Sequence, residues 1–329
     1  MIYYFGAFVL SLFLIILIYI RIKQVNETYE IEYNKGIDAY SNKQYANSVK
    51  FFINAIRINP NKPEIYYNLG LAYMSLDKSN EAESNFRKYM ILNPKDPDVY
   101  YNLGLLLHSN NRFEEAVSQF NKVIEIKDND LDSYYNLGLS LLDLNKYEES
   151  IEQFEKIVNL SPNKIEYIFD LAQAFDKKSS ATGMTNDTDL AIENYNRVLK
   201  LDQKNEEANY RLAICYAKKG MWMESVNYCK KVIEINSNSA KAHNQLGLAL
   251  YCRGDIETAI LMYKKALKLD HNYAVVYSNL GYAMEKQGNF KDAVDTFNKF
   301  VKLCPEEDGV NEIKEHIKEL EESIRLKND

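Results

Sequence analysis

YYNLGLAY (66–73), YYNLGLLL (100–107) and YYNLGLSL (134–141) decide how the rest of the chain is read. The phrases are 34 residues apart, with Gly70, Gly104 and Gly138 at one place in each and Gly36 one period earlier. Weaker copies follow as IFDLAQAF (168–175), NYRLAICY (209–216), HNQLGLAL (243–250) and YSNLGYAM (277–284). The small-residue column runs Gly36, Gly70, Gly104, Gly138, Ala172, Ala213, Gly247 and Gly281. A second small column holds Ser48, Ala82, Ala116, Ser150, Ala191, Ser225, Ala259 and Ala293. Four residues beyond it stand Phe52, Phe86, Phe120, Phe154, Tyr195, Tyr263 and Phe297, with Cys229 as the departure. Gly inside a helix costs about 1 kcal/mol relative to Ala, so its recurrence needs a packing cause. Two antiparallel helices cross closely where both carry small residues, and the columns fit that requirement.

This pattern resembles the tetratricopeptide repeat family, whose 34-residue unit is a helix–turn–helix. The resemblance covers residues 29–307 in eight copies: 29–62, 63–96, 97–130, 131–164, 165–205, 206–239, 240–273 and 274–307. It implies an all-α, right-handed solenoid in which each unit buries its apolar face against its neighbours. Pro60, Pro94, Pro162 and Pro305 stop second helices, while Asn111, Asn145, Gly220, Gly254 and Gly288 suit left-handed turn positions. The fifth copy is seven residues longer. Its insertion, 176–189 (DKKSSATGMTNDTD), is polar and is expected to be a flexible projection in place of a tight turn.

The two ends read differently. Residues 2–20 carry no charge, and 19 helical residues span about 28 Å at about 1.5 Å each, close to the hydrocarbon thickness of a bilayer. Residues 1–28 are therefore expected to be a retained single-pass anchor and a short junction. Arg21 and Lys23 follow the apolar run, which places the repeats on the cytoplasmic side by the positive-inside rule. Residues 308–329 are expected to form a C-terminal capping helix, with Ile313, Ile317, Leu320 and Ile324 on one face.

Composition narrows the chemistry. Lys+Arg is 40 against Asp+Glu 47, a net charge of −7, which argues against gripping nucleic acid through bulk positive charge. Cys215, Cys229, Cys252 and Cys304 form no CxxC, and His108, His243, His271 and His316 fall in different repeats without a second ligand at metal spacing. No phosphate-loop, dinucleotide, HExxH or nucleophile-elbow motif occurs. Anchor, repeats and cap use the whole sequence given, so the expectation is a non-enzyme without cofactor or metal.

The resemblance places the first helix of each unit on a concave groove that binds peptide. The fifth position supplies Tyr33, Tyr67, Tyr101, Tyr135, Phe169 and Tyr210. The sixth supplies Asn34, Asn68, Asn102, Asn136 and Asp170, and then departs to Arg211. The second supplies an acidic row, Glu30, Glu64, Asp98, Asp132, Glu166 and Glu207, before changing to Lys241 and Val275. Tyr gives flat contact area at low entropy cost, and an Asn ladder can hydrogen-bond a peptide backbone without reading its sequence. The acids favour a neutral or basic extended segment. The chaperone-tail clamp of this family needs Lys and Asn where this chain has Tyr at the fifth position and mainly apolar residues at the ninth, so that ligand is rejected. The expected function is a membrane-tethered protein-interaction scaffold. The alternatives are an assembly factor recruiting an enzyme or substrate for envelope biogenesis, and a self-associating scaffold whose acidic groove takes a basic segment of a second copy.

Overall fold

The computed structural model describes the backbone of residues 2–306 and 309–328, and the side chains of 12–306 and 309–326. The described residues form helices, joined in order by short turns, in two compact units, Met1–Gln153 and Phe154–Asp329.

The first unit contains α1 (Ile2–Ser41), α2 (Tyr45–Ile58), α3 (Pro63–Met74), α4 (Ser79–Leu92), α5 (Pro97–Ser109), α6 (Phe113–Ile126), α7 (Leu131–Asp143) and the start of α8 (Tyr147–Leu160). Pro63 and Pro97 begin α3 and α5, where a missing N–H is harmless. Asp96 and Asp130 accept from the amides of Asp98 and Ser133, capping α5 and α7. α1 packs on α2, α3 on α4 and α5 on α6, and each pair leans on the next. The first helices also touch in series, α1 to α3, α3 to α5 and α5 to α7, so they share one face.

The second unit continues with α9 (Ile165–Thr182), α10 (Thr185–Leu201), α11 (Glu206–Lys218), α12 (Trp222–Ile235), α13 (Ala240–Cys252), α14 (Ile256–Leu269), α15 (Ala274–Lys286), α16 (Phe290–Leu303) and α17 (Val310–Asn328). Its first helices touch in the same way, α11 to α13 and α13 to α15. α17 lies on α16 and buries Val310, Ile313, Ile317 and Leu320.

The glycine column has a more specific cause than helix crossing alone. In these repeats the aromatic ring of the second helix sits directly on the glycine. A Cβ at Gly70 would lie 2.6 Å from the Phe86 ring, at Gly104 2.7 Å from Phe120, at Gly247 2.7 Å from Tyr263 and at Gly281 2.5 Å from Phe297. Real side chains do not approach so closely. Where the ring is missing, at Cys229, the partner position is Ala213. In the first unit the serines of the second small column add a hydrogen bond: Ser48 Oγ donates to Gly36 O at 2.8 Å and Ser150 Oγ to Gly138 O at 2.7 Å.

Two expectations change. The expected anchor over 2–20 is not supported: among the described residues no helix is long and apolar enough to cross a membrane. The side chains of its first half, 2–11, lie outside the described residues. The described remainder, Leu12–Ile20, is nine residues, or about 14 Å of helix, against about 30 Å of hydrocarbon. This remainder is exposed on all sides, and α1 runs through 21–28 without a break into the first repeat.

The second correction concerns 176–189, which is not a flexible projection. Its residues lengthen α9 and α10, and only Gly183, at φ +71°, and Met184 turn between them. Asp176 is 6% exposed and accepts from Lys218 Nζ at 2.5 Å. Lys178 faces Asp187 at 3.6 Å, Ser179 bonds Thr188, and Lys219 bonds Asp189. Composition concealed this because the polar side chains pair with one another across the corner.

Candidate functional site

In the first unit the fifth-position tyrosines are half-buried on the shared first-helix face. Their rings rest on the second-helix phenylalanines of their own repeats: Tyr33 on Phe52 at 5.8 Å, Tyr67 on Phe86 at 6.1 Å and Tyr101 on Phe120 at 6.0 Å between centroids. These tilted and edge-on contacts hold the phenol heads at the surface. Each hydroxyl then meets the asparagine of the following repeat. Asn68 Nδ2 donates to Tyr33 Oη at 2.9 Å, Asn102 Nδ2 to Tyr67 Oη at 2.9 Å and Asn136 Nδ2 to Tyr101 Oη at 3.2 Å.

The same amides donate one turn back along their own helices, to the carbonyls of Glu64, Asp98 and Asp132 at 2.9, 2.8 and 2.7 Å. Both donors of each amide are therefore engaged within the protein. At the Tyr33 and Tyr67 rungs, what remains toward a ligand is the Oδ1 acceptor and the tyrosine O–H donor. A two-handed grip on a peptide backbone, as an Asn ladder could provide, is not available while these rungs are closed. The periodicity showed the residues, but not the 35-residue offset that joins them.

Burial first, and the neighbouring carboxylates Asp98 and Asp96 second, push the Tyr67 phenol up to about 12, so it is protonated at neutral pH. Burial and Glu64 raise Tyr33 in the same sense. Of the acidic row, Glu30, Asp98 and Asp132 are exposed, and so is Glu166 in the second unit. Glu64 accepts from Tyr29 Oη at 3.1 Å and lies 3.9 Å from Lys62. Asn34 is exposed, and Tyr135 and Asn136 are half-buried.

In the second unit the closure is found at Glu207 and Tyr210, while Glu166 stays exposed. Phe169 packs edge-on against Tyr195 at 5.4 Å, Asp170 is half-buried, and Glu166 lies 3.4 Å from Lys164. Glu207 is held by Arg211 at 2.9 Å and by Lys241 at 2.5 Å. Although burial works against ionisation, the two cations hold its carboxyl below the usual range. Lys241 also covers the Tyr210 ring at 4.6 Å, and burial pushes that phenol up to about 12. Beyond them the rung recurs in another chemistry, with Asn279 Nδ2 donating to Asn244 Oδ1 at 3.0 Å. Among the described residues no three of His, Cys, Asp and Glu are placed to hold a metal ion.

Helices paired in this way, with one face built from first helices, define an all-α repeat protein. Family profiles described as tetratricopeptide or TPR repeat match residues 38–77, 185–220, 249–288, 274–307, 228–260, 63–96 and 207–239. They support placing the chain in the tetratricopeptide repeat family. A profile described as anaphase-promoting complex, cyclosome, subunit 3 matches 86–157. No curated protein matches significantly.

Among solved structures, the C-terminal part of a TPR repeat-containing protein from Cytophaga hutchinsonii is 18% identical with a TM-score of 0.64. The match covers 75% of this chain and 99% of that one. A tetratricopeptide repeat protein from Parabacteroides merdae is 18% identical with a TM-score of 0.55, over 78% of this chain and 99% of that one. A chain of the anaphase-promoting complex hetero-tetramer Cut9–Hcn1 is 14% identical with a TM-score of 0.54, covering 83% of this chain and 52% of that one. These similarities show the fold. Repeats of this family generally mediate protein–protein interaction.

Proposed function

We propose that the chain is a non-catalytic interaction scaffold whose first unit takes an extended, neutral or basic protein segment along its first-helix face. The observation that carries this reading is the run of three consecutive Tyr–Asn rungs bordered by the exposed carboxylates of Asp98 and Asp132. The face offers the O–H donors of Tyr33 and Tyr67 for peptide carbonyls, Oδ1 acceptors for peptide N–H groups, and negative charge for Lys or Arg. Under this reading the array divides into the eight repeats given above, and 308–329 closes it.

Tethering belongs to the same proposal. Leu12 to Ile20 are 47–67% exposed on every side of α1, and water is a poor solvent for such a segment. With the charge-free residues 2–11 ahead of it, the run has the length of a membrane span, and Arg21 and Lys23 put the repeats on the cytoplasmic side. A tether raises the local concentration of whatever is bound.

The test is crosslinking and affinity capture of the full-length protein from membranes, beside a variant with Tyr67, Tyr101 and Tyr135 changed to Ala. Circular dichroism confirms that the variant is folded. A partner held by the native chain and lost by the variant supports the groove. The same partner held equally by both overturns it. Recovery of the protein in the soluble fraction after membrane flotation overturns the tether alone.

A further inference from the structure

A cleft in the second unit stands where a repeat tyrosine is missing. In several repeats a tyrosine at the fourth position donates to the carbonyl six residues earlier, where the preceding helix ends. Tyr66 donates to Pro60 O at 2.8 Å, Tyr100 to Pro94 O at 3.0 Å and Tyr277 to His271 O at 3.0 Å. A lysine at the twenty-sixth position covers the ring in two of them: Lys88 lies 4.3 Å from the Tyr66 ring and Lys299 5.9 Å from Tyr277. The local slot is thus built for a phenol, with a carbonyl to accept its proton and a cation over its face.

The sixth repeat keeps the slot and lacks the phenol. Asn209 stands at the tyrosine position and is 1% exposed. Its Nδ2 reaches the equivalent carbonyl, Gln203 O, only at 3.5 Å, and bonds Asn205 O at 2.9 Å. Its Oδ1 has no partner among the described residues, although a buried carbonyl oxygen is costly to leave unpaired. Beside it is a cleft of about 490 Å³ lined by Asn196, Leu199, Lys200, Gln203, Tyr228 and Lys231, where Tyr228 Oη donates to Asn196 Oδ1 at 3.2 Å. Lys231, at the twenty-sixth position, falls instead on Tyr228 at 4.4 Å.

We propose that this cleft receives a tyrosine side chain of a partner protein, which takes the place of the missing repeat tyrosine. Its O–H would donate to Asn209 Oδ1 or Gln203 O, and its ring would lie beneath Lys231. A carboxylate or phosphate fits less well: the two lysines would attract it, but the unpaired polar atom at the Asn209 end of the cleft is an oxygen that only accepts, and the Asn209 amide N–H is already bonded to Asn205 O. A cation is opposed by both lysines, and among the described residues no carboxylate lines the cleft.

N-acetyl-tyrosinamide is the probe, observed by saturation-transfer difference NMR on the full-length protein, with N-acetyl-leucinamide and benzoate as comparisons. Saturation should pass to the tyrosine ring in preference to both. Asn209→Tyr, which fills the slot from within, should lower the affinity at least tenfold and leave the melting temperature equal or higher. Lys231→Met should weaken binding about three- to fivefold, as for an exposed cation over an aromatic face. Undiminished binding to Asn209→Tyr overturns the proposal, as does equal binding of the leucine analogue. Benzoate binding more strongly than tyrosinamide would make the cleft an anion site instead. If Asn209→Tyr unfolds, Lys231→Met decides alone.

Discussion

One repeat plan gives opposite surface outcomes at Asp98 and Asp132 in the first unit and at Glu207 in the second. In the first, Asp98 and Asp132 are exposed beside tyrosine hydroxyls bridged by asparagine. In the second, Glu207 occupies the same position but is neutralised by Arg211, one turn along its helix, and by Lys241, one repeat further on. Tyr210 is likewise covered by that lysine. A shared position therefore does not make a shared site. The side chains one helical turn and one repeat away decide whether a carboxylate is offered to a ligand or consumed inside the protein.

The turns differ in parallel. The left-handed residue inside the repeat is Lys43, Asp77, Asn111 or Asn145 in the first unit, and Gly220, Gly254 or Gly288 in the second. Residues other than Gly are strained there, Lys more than Asn. The first unit thus carries its proposed recognition face on the less relaxed scaffold.

Alkali should have the largest effect. The phenols of Tyr67 and Tyr89 in the first unit and Tyr210 in the second are each pushed up to about 12, mainly by burial. The folded state holds these protons where an unfolded tyrosine, near 10, has begun to lose them. The contribution is complete below about pH 10 and is lost as pH rises from about 10 to about 12. Both units should unfold across that window, followed by tyrosinate absorbance together with circular dichroism. Stability unchanged up to the top of that window would contradict the ring packing described here.

The next effect tests the glycine seats. Gly70→Ala and Gly281→Ala each force a methyl into a buried ring. Each should destabilise by up to about 2 kcal/mol, after overpacking of about 1–3 kcal/mol is set against about 1 kcal/mol of gained helix propensity. Ala213→Gly, opposite Cys229, should cost about 1 kcal/mol in the reverse direction. Urea melts of the three variants decide this, and a stabilising Gly→Ala change would show that the rings are not seated on the glycines. The smallest effect is at the turns. Lys43→Gly should stabilise the first unit by about 0.5–1 kcal/mol, measured by hydrogen exchange in α1 and α2, while Asn145→Gly should do less.

The repeat plan was legible because Gly, Ala and Ser columns at a fixed spacing are what close crossing of paired helices demands. The candidate face was legible as positions but not as chemistry. Tyr67 and Asn102, or Glu207 and Lys241, are 35 and 34 residues apart, and only the stacking of helices joins them. The stretch 176–189 misled because its polar composition reads as loop, whereas Asp176, Lys178, Ser179, Asp187 and Thr188 pair with one another or with Lys218 to build a helical corner. Lys43 and Asp77 were missed as turn residues because neither type marks a left-handed position.

The central claim is that a basic extended segment is held by the first unit's open carboxylates and not by the second unit's neutralised one. Binding of a short alternating Lys-Ala peptide to the full-length protein, by fluorescence anisotropy at two salt concentrations, measures this directly. Asp98→Asn with Asp132→Asn should weaken binding about tenfold at low salt and flatten the salt dependence, since exposed charges act through a screened field. Glu207→Gln should leave the affinity within about twofold. A larger loss from Glu207→Gln than from the double change would contradict the account.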